Sequence, residues 1–352
     1  MSDPAPTPCP PRSRSRALAF AFLSIFVGLL LLAIPAEFVA RRLDPNLRRL
    51  EGLRNPFWIH HPTRGHALKP DFQGTSIWGV PFRINSLGFR GPEIAWAKPE
   101  GTFRVLVLGD SIIMGSGLSE QDTLPALLQK ELADRFPGRR FEVMNAGVSG
   151  YGLPEEYTVL KEDGLRLDPD LVVIGFCLND VPGANFADLI NPRRDLALPG
   201  KQFLLDRLAL ARFFQERYNR IGLKNDFLGL ADRLTAKPGS SVDRRVQAGW
   251  QAYRQELEPL LGLCREHQIP FLFVAFPHRT QFEDRRQEFR PQHELARLAR
   301  EMHFALLDPA PDFRPVLDQV YVFGDPVHPS GLGHRLIARR IVDYIQKNIF
   351  KS

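Results

Sequence analysis

Cysteine is scarce in this sequence: Cys9, Cys177 and Cys264 are the only three among 352 residues. They lie too far apart along the chain to form a disulfide framework or to supply the ligand spacing of a zinc site. The chain also lacks a block of lysine and arginine interleaved with aromatic residues, although its formal net charge is +6. We therefore predict that the protein uses no cofactor and binds no nucleic acid.

A group of three histidines, His60, His61 and His66, raises the alternative of a metal site. Zinc sites combine histidine with cysteine or carboxylate ligands, and neither lies close to this group in the sequence. We therefore interpret the three as exposed loop histidines and predict no metal.

One long apolar run stands near the start of the chain: residues 17–36 carry no charge, and arginines flank them on both sides. About 20 apolar residues span a bilayer as a helix, whereas the apolar part of a cleavable signal peptide is shorter, roughly 7–15 residues. We therefore predict an uncleaved, single-pass transmembrane anchor over residues 17–38.

The arginines that flank the anchor bear on its orientation in the membrane. We expect residues 1–16 to be a cytoplasmic tail and the bulk of the chain to lie outside the cytoplasm, in the periplasm or its equivalent. Five arginines follow the run closely and three precede it, a count that favours the opposite orientation.

Residues 39–100 form a proline-rich lead-in without a strong helical pattern. Short stretches of β-forming residues over 75–80 and 82–85 predict strands there. From residue 103 onward, apolar strand-like runs alternate with helical patterns. The predicted strands are residues 103–108, 141–145, 171–176, 271–276 and 304–307. The predicted helices are residues 123–136, 154–163, 244–267, 291–302 and 332–349.

This alternation predicts an α/β fold: a doubly wound, flavodoxin-like, five-stranded parallel sheet with helices on both faces. Within the helix predicted over 244–267, apolar residues including Trp250, Tyr253 and Cys264 recur at helical spacing, which indicates a core-facing stripe. Residues 183–243 are too long for a simple crossover. We interpret them as a helical cap, with a basic amphipathic helix lying on the membrane as the alternative.

Polar residues follow several of the predicted strands. Gly109-Asp110-Ser111 follows the first strand, Asn145-Ala146-Gly147 the second, and Asn179-Asp180 the third. Asp325-Pro326-Val327-His328 lies between the fifth strand and the last helix. Open α/β sheets place their chemistry at the carboxyl ends of the strands. A serine on a sharp glycine turn there is a candidate nucleophile, although a helix N-cap is the alternative.

In these four blocks, taken in order, the sequence resembles the SGNH, or GDSL-type, hydrolase superfamily over residues 101–350. The segment from Asn85 to Glu93, NSLGFRGPE, also looks like the one that precedes the catalytic domain in membrane-anchored bacterial members. One position departs from the pattern. The family often has glycine two residues before the asparagine of the third block, where this chain has Cys177.

The resemblance implies a role for each matched residue. Ser111 would be the nucleophile, His328 its base and Asp325 the residue that orients the imidazole. The backbone N–H groups of Ser111 and Gly147 and the side chain of Asn179 would stabilise the oxyanion. We expect Asp110 and Asp180 to hold turns and His334 to be structural.

The sequence therefore predicts a serine ester hydrolase that removes short acyl groups from carbohydrate or other envelope esters through an acyl-enzyme. A polysaccharide O-acyltransferase and a lysophospholipase-like lipid esterase on the same fold are alternatives. A non-catalytic carbohydrate-binding assembly protein is an alternative of another class. The sequence does not indicate an oligomeric state.

Overall fold

A computed structural model describes residues 14–43, 57–76, 79–181, 208, 210, 241–283, 289–322 and 325–350. The chain divides into two compact units: Met1–Leu53 with Ala197–Arg220, and Arg54–Leu196 with Ile221–Ser352. The predicted insertion over residues 183–243 lies almost wholly outside the described residues.

The first unit contains helix α1, Arg14–Leu43, which forms over the predicted anchor. Several of its apolar side chains are exposed, among them Phe20 and Phe22. Across the described residues, no helix combines the length and apolar character required to cross a bilayer, so the predicted anchor is not shown.

The second unit is built around a five-stranded parallel sheet. Its strands are β5 (Thr102–Gly109), β6 (Arg140–Asn145), β7 (Leu171–Phe176), β8 (Phe271–Ala275) and β9 (Ala305–Leu307). Their order is β6-β5-β7-β8-β9, and every neighbouring pair is parallel. This is the flavodoxin-like order, in which the chain reverses direction across the sheet beside its first strand. The predicted fold class is confirmed.

Helices cover both faces of this sheet. They are α2 (Ser111–Met114), α3 (Leu124–Arg135), α4 (Leu153–Val159), α5 (Ser241–Glu266), α6 (Thr280–Glu283), α7 (Arg290–Met302), α8 (Ala310–Phe313) and α9 (Gly331–Asn348). The apolar side chains of β5 pack on both faces of the sheet. Leu106 and Leu108 belong to the core under α4, α5 and α7. Val105 and Val107 belong to the core under α3 and α9. Alternation of side chains along a strand produces this division.

The predicted core stripe on α5 is confirmed, because Trp250, Tyr253, Leu257, Leu260 and Cys264 are all buried. Burial raises the pKa of the Cys264 thiol to about 12, so the thiol stays protonated at neutral pH. This cysteine is a core residue.

Residues 57–100 contain two antiparallel hairpins, β1 (Trp58–His61) with β2 (Gly65–Leu68), and β3 (Gln73–Thr75) with β4 (Pro81–Arg83). The sequence analysis missed the first hairpin. Its prediction of a strand over 75–80 is wrong, because β3 ends at Thr75 and the Ser76 N–H donates to the Val80 carbonyl in a turn.

The lead-in shares the core of the sheet. Phe57, Phe82 and Phe89 are buried in the same apolar cluster as Leu106 of β5 and Met144 of β6. Folding of the lead-in and of the sheet is therefore coupled through common buried surface.

Candidate active site

Ser111 lies at the carboxyl end of β5, an inner strand of the sheet. Gly109 ends β5 with φ +153°, and a Cβ atom there would collide with Ile113, so the turn requires glycine. Asp110 accepts a hydrogen bond from the Ile112 N–H at 2.8 Å through Oδ1, which confirms its predicted role of holding the turn. Ser111 begins α2 and is half-buried, so its hydroxyl is presented at the surface of the sheet edge.

Three of the predicted site residues meet in one hydrogen-bonded chain. Ser111 Oγ lies 2.8 Å from His328 Nε2, although 217 residues separate them in sequence. His328 Nδ1 lies 2.7 Å from Asp325 Oδ2. Asp325 Oδ1 accepts the backbone N–H groups of Val327 and His328, at 2.8 and 3.0 Å, which fixes the carboxylate.

The charges around His328 favour its protonated form. Burial lowers the pKa of His328, but the hydrogen bond and negative charge of Asp325, with the charge of Asp110, outweigh burial and raise the pKa above its usual value. Burial likewise raises the pKa of Asp325, and its bonds to His328 and Val327 reverse that effect and lower it. The imidazole can therefore take up a proton next to a carboxylate that stays ionised.

The loop that follows β8 forms hydrogen bonds with the segment that carries Asp325 and His328. The Arg279 N–H donates to the Pro326 carbonyl at 2.8 Å, and the Tyr321 hydroxyl donates to the Pro277 carbonyl at 2.7 Å. His278, in the same loop, is buried, and its Nε2 lies 3.4 Å from Cys177 Sγ. Burial, with the charge of His328, lowers the pKa of His278 to about 4, so it is neutral beside the site.

Gly147 packs against the helix that carries Ser111. A Cβ atom at position 147 would collide with the backbone nitrogen of Met114, so only glycine allows this approach. The Gly147 N–H, the predicted oxyanion donor, donates here to Asn145 Oδ1 at 3.1 Å. The sequence analysis did not single out the Asn145 side chain for this contact.

Asn179 lies in the short turn Leu178–Asp180, directly after β7. Its backbone is therefore at the same edge of the sheet, and its side chain lies outside the described part of the structure, so its oxyanion role stays a prediction. Asp180 Oδ2 accepts the Cys177 N–H at 2.9 Å, which confirms that Asp180 holds a turn.

A group of buried carboxyl groups lies beneath the site. Glu156 and Asp180 are buried, and both Glu156 oxygens and Asp180 Oδ1 have no hydrogen-bond partner among the described residues. Burial, with the charge of Asp110, raises the pKa of Glu156 well above its usual value. Burial, with the charges of Glu156 and Asp110, does the same for Asp180. Sequence reasoning missed Glu156, because nothing local distinguishes it from an exposed glutamate on α4.

The predicted exposed loop histidines lie in strands: His60 and His61 in β1 and His66 in β2, and of the three only His60 is exposed. His61 bonds to Arg64, and His66 Nε2 lies 2.9 Å from the Ser149 carbonyl. His334 is buried in α9, and burial lowers its pKa to about 3. Across the described ranges, no group of three or more histidine, cysteine or acidic side chains is arranged to hold a metal ion.

A hydroxyl, an imidazole and a carboxylate at these distances can activate serine oxygen as a nucleophile. Residues 107–336, more than half of the chain, match the model of the GDSL-like lipase/acylhydrolase family. The protein belongs to this family. This GDSL-family protein is a serine ester hydrolase.

Several solved structures are similar to this hydrolase. A catalytic mutant of Axe2, an acetylxylan esterase from Geobacillus stearothermophilus, is 18% identical, with a TM-score of 0.43 over 69% of this chain and 94% of that one. The acetyl xylan esterase AlAXEase is 16% identical, with a TM-score of 0.43 over 69% and 100%. A lipase/acylhydrolase from Enterococcus faecalis is 17% identical, with a TM-score of 0.41 over 70% and 96%. No curated protein matches the sequence.

Proposed function

We propose that this GDSL-family hydrolase removes short acyl groups, acetyl above all, from carbohydrate or related polar esters, with Ser111, His328 and Asp325 as its catalytic triad. The observation that carries the assignment of the triad is the chain of hydrogen bonds from Ser111 Oγ through His328 to Asp325, at 2.8 and 2.7 Å.

The proposed reaction has two halves. Ser111 Oγ attacks the ester carbonyl carbon while His328 Nε2 takes the hydroxyl proton. The resulting oxyanion is stabilised by the N–H of Ser111, by Asn179, and by the N–H of Gly147, which leaves Asn145 Oδ1 to donate to the oxyanion. His328 then returns the proton to the departing alcohol as its bond to carbon breaks. Water attacks the acyl-enzyme in the same way and releases the acid and free Ser111.

A short acyl group is favoured by the surface around Ser111. The loops nearest the proposed catalytic residues, residues 145–152 and 324–333, are rich in glycine and polar residues, a composition that suits an open, wet cleft. A long acyl chain needs an apolar groove, because each buried methylene contributes roughly 0.8 kcal/mol. The segment that could line such a groove, residues 204–214, lies largely outside the described residues.

A panel of p-nitrophenyl esters from acetyl to palmitoyl, together with acetylated oligosaccharides, tests the proposal. We expect kcat/KM to be highest for acetyl, to fall steeply beyond butyryl, and to be matched or exceeded on acetylated sugars. Equal or better turnover of octanoyl to palmitoyl esters would replace the carbohydrate proposal with the lipid esterase. Acyl transfer to added sugar, in preference to water, would identify an O-acyltransferase.

The place of action is a separate part of the proposal: the cell envelope, with the hydrolase held by α1 and its catalytic residues outside the cytoplasm. Support comes from the uncharged run over residues 17–36 and from exposed Phe20 and Phe22 on α1. A C-terminal alkaline phosphatase fusion should be active. An inactive phosphatase fusion, with a fluorescent C-terminal GFP fusion, would place the hydrolase in the cytoplasm.

A further inference from the structure

The segment from Asn85 to Glu93 is a tightly bonded turn. Asn85 Oδ1 accepts the N–H groups of Leu87 and Phe89, at 3.1 and 2.9 Å, and Asn85 Nδ2 donates to the Pro92 carbonyl at 2.9 Å. Glu93 accepts hydrogen bonds from the backbone N–H and the hydroxyl of Ser86. Within this turn the side chain of Arg90 is buried, with only 3% of its surface exposed.

The Arg90 guanidinium reaches the helix that carries Ser111. Nη1 donates to the carbonyls of Met114 and Gly115, both at 2.7 Å, and Nη2 donates to the Leu118 carbonyl at 2.6 Å. Helix α2 is a single turn, so its last carbonyls have no partners in a following turn. A cation at this end also complements the helix dipole.

The backbone of Arg90 holds a second part of the site. Its N–H donates to the Asn145 carbonyl at 3.2 Å, at the end of β6, and Asn145 in turn bonds the Gly147 N–H. Because Gly147 packs directly on the Met114 backbone, the Gly147 loop and α2 cannot shift independently. Arg90 therefore touches both of the elements that carry the proposed nucleophile and oxyanion donor.

The Arg90 guanidinium contacts an aromatic ring as well as carbonyls. Its carbon atom Cζ lies 4.5 Å from the centre of the Phe82 ring. Glu120, whose charge favours the protonated guanidinium, pairs with Arg83 at 2.6 Å instead. Burial lowers the pKa of Arg90 to about 10, so the side chain is a cation at neutral pH. A fixed cation that binds mainly backbone carbonyls acts as a positioning group.

We propose that Arg90 is a positioning residue of the active site, which locks α2 and the Gly147 loop in one geometry so that Ser111 and its oxyanion donors face the same point. The lead-in turn is then a working part of the hydrolase. This inference rests on the proposed role of Ser111.

The test compares Arg90→Lys with a matched control, Arg104→Lys. Arg104 is equally buried and also donates to several carbonyls, among them those of Trp96 and Leu167, but at the opposite edge of the sheet. Lysine keeps the charge and loses the planar fork in both cases. For each variant we would measure the midpoint of thermal unfolding, kcat and KM on p-nitrophenyl acetate, and the rate of Ser111 labelling by a fluorophosphonate.

We expect Arg90→Lys to lower kcat and the labelling rate roughly 10- to 100-fold with KM changed by less than about 3-fold, because misplacement by about 1 Å costs that much. Arg104→Lys should lower the unfolding midpoint and leave kcat unchanged. Wild-type kcat in folded Arg90→Lys would overturn the inference, as would equal losses of kcat in the two variants.

A milder variant covers the case in which Arg90→Lys does not fold. Phe82→Leu removes the ring beneath the guanidinium, and we expect a smaller loss of kcat, roughly 3- to 10-fold, at unchanged KM. If Arg90→Lys does not fold, while Phe82→Leu folds and keeps full kcat, then Arg90 has a structural role alone and the inference is overturned. A wild-type protein without esterase activity would instead contradict the proposed function itself.

Discussion

Arg104 at the amino edge of the sheet and Arg90 at its carboxyl edge are both buried arginines, but their surroundings differ. Arg104 bonds Glu142 at 2.6 Å and the carbonyls of Ala95, Trp96 and Leu167. Arg90 bonds carbonyls next to the nucleophile, and its Nε has no hydrogen-bond partner among the described residues. Among the described side chains, Arg104 is paired with a carboxylate and Arg90 is not.

Other unmatched polar atoms gather around the carboxyl edge. Within the described residues, Asn145 Nδ2, Asp180 Oδ1, both Glu156 oxygens and the Tyr253 hydroxyl are buried without partners. Each such group costs about 1–3 kcal/mol. A protein keeps such groups where function demands them and stabilises the fold elsewhere. Stability and catalysis are therefore divided between opposite edges of one sheet.

The largest effect that tests this division is the loss of a triad residue. Ser111→Ala and His328→Ala should each lower kcat roughly 10⁴-fold or more, because the triad acts as a unit. The free energy of unfolding should change little, since both side chains lie at the half-buried surface of the carboxyl edge. Steady-state kinetics and urea unfolding measure the two quantities. A large loss of unfolding free energy in either variant would contradict this division.

Asn179→Ala should have the next largest effect. Loss of one oxyanion donor lowers kcat roughly 10²- to 10³-fold, with little change in KM. The control is Asn348→Ala, at the last residue of the 18-residue helix α9, whose first residue follows His328 closely. Unchanged kcat in Asn179→Ala would remove Asn179 from the oxyanion hole.

The pH dependence tests the electrostatics of the carboxyl edge. The base must be neutral, so kcat/KM should rise with pH through an apparent pKa above the ordinary value of about 6.5, the direction that Asp325 imposes on His328. In Asp325→Asn the midpoint of the remaining activity should move to lower pH, because the raising partner is gone. A wild-type profile without an ascending limb would exclude His328 as the base.

The smallest effect is a gain in stability. The folded-state pKa of Glu156 lies above its unfolded value, so its contribution to stability is complete below the unfolded pKa and is lost as pH rises through the folded pKa. Glu156→Gln avoids that loss. The unfolding midpoint of Glu156→Gln minus that of wild type should therefore increase as pH rises from acid to alkaline. The control is Glu258→Gln, which makes the same substitution at an exposed position of α5.

The inner strands β5, β7 and β8 could be predicted because each is a short apolar run that is almost wholly buried. The hairpin of β1 and β2 could not, because its strands are only four residues long, with β1 mostly exposed and β2 partly buried. The triad blocks could be placed at one sheet edge from the strand pattern alone. The contacts of Arg90 with Met114 and of Cys177 with His278 could not, because they join residues distant in sequence and depend on side-chain packing.

Labelling with a fluorophosphonate, followed by peptide mapping, tests directly whether Ser111 is the serine that His328, at 2.8 Å, activates as the nucleophile. We predict a single adduct on the peptide that contains Ser111, formed by the folded protein, absent from Ser111→Ala and lost after unfolding. An adduct on another serine, or esterase activity that persists in Ser111→Ala, would contradict the account.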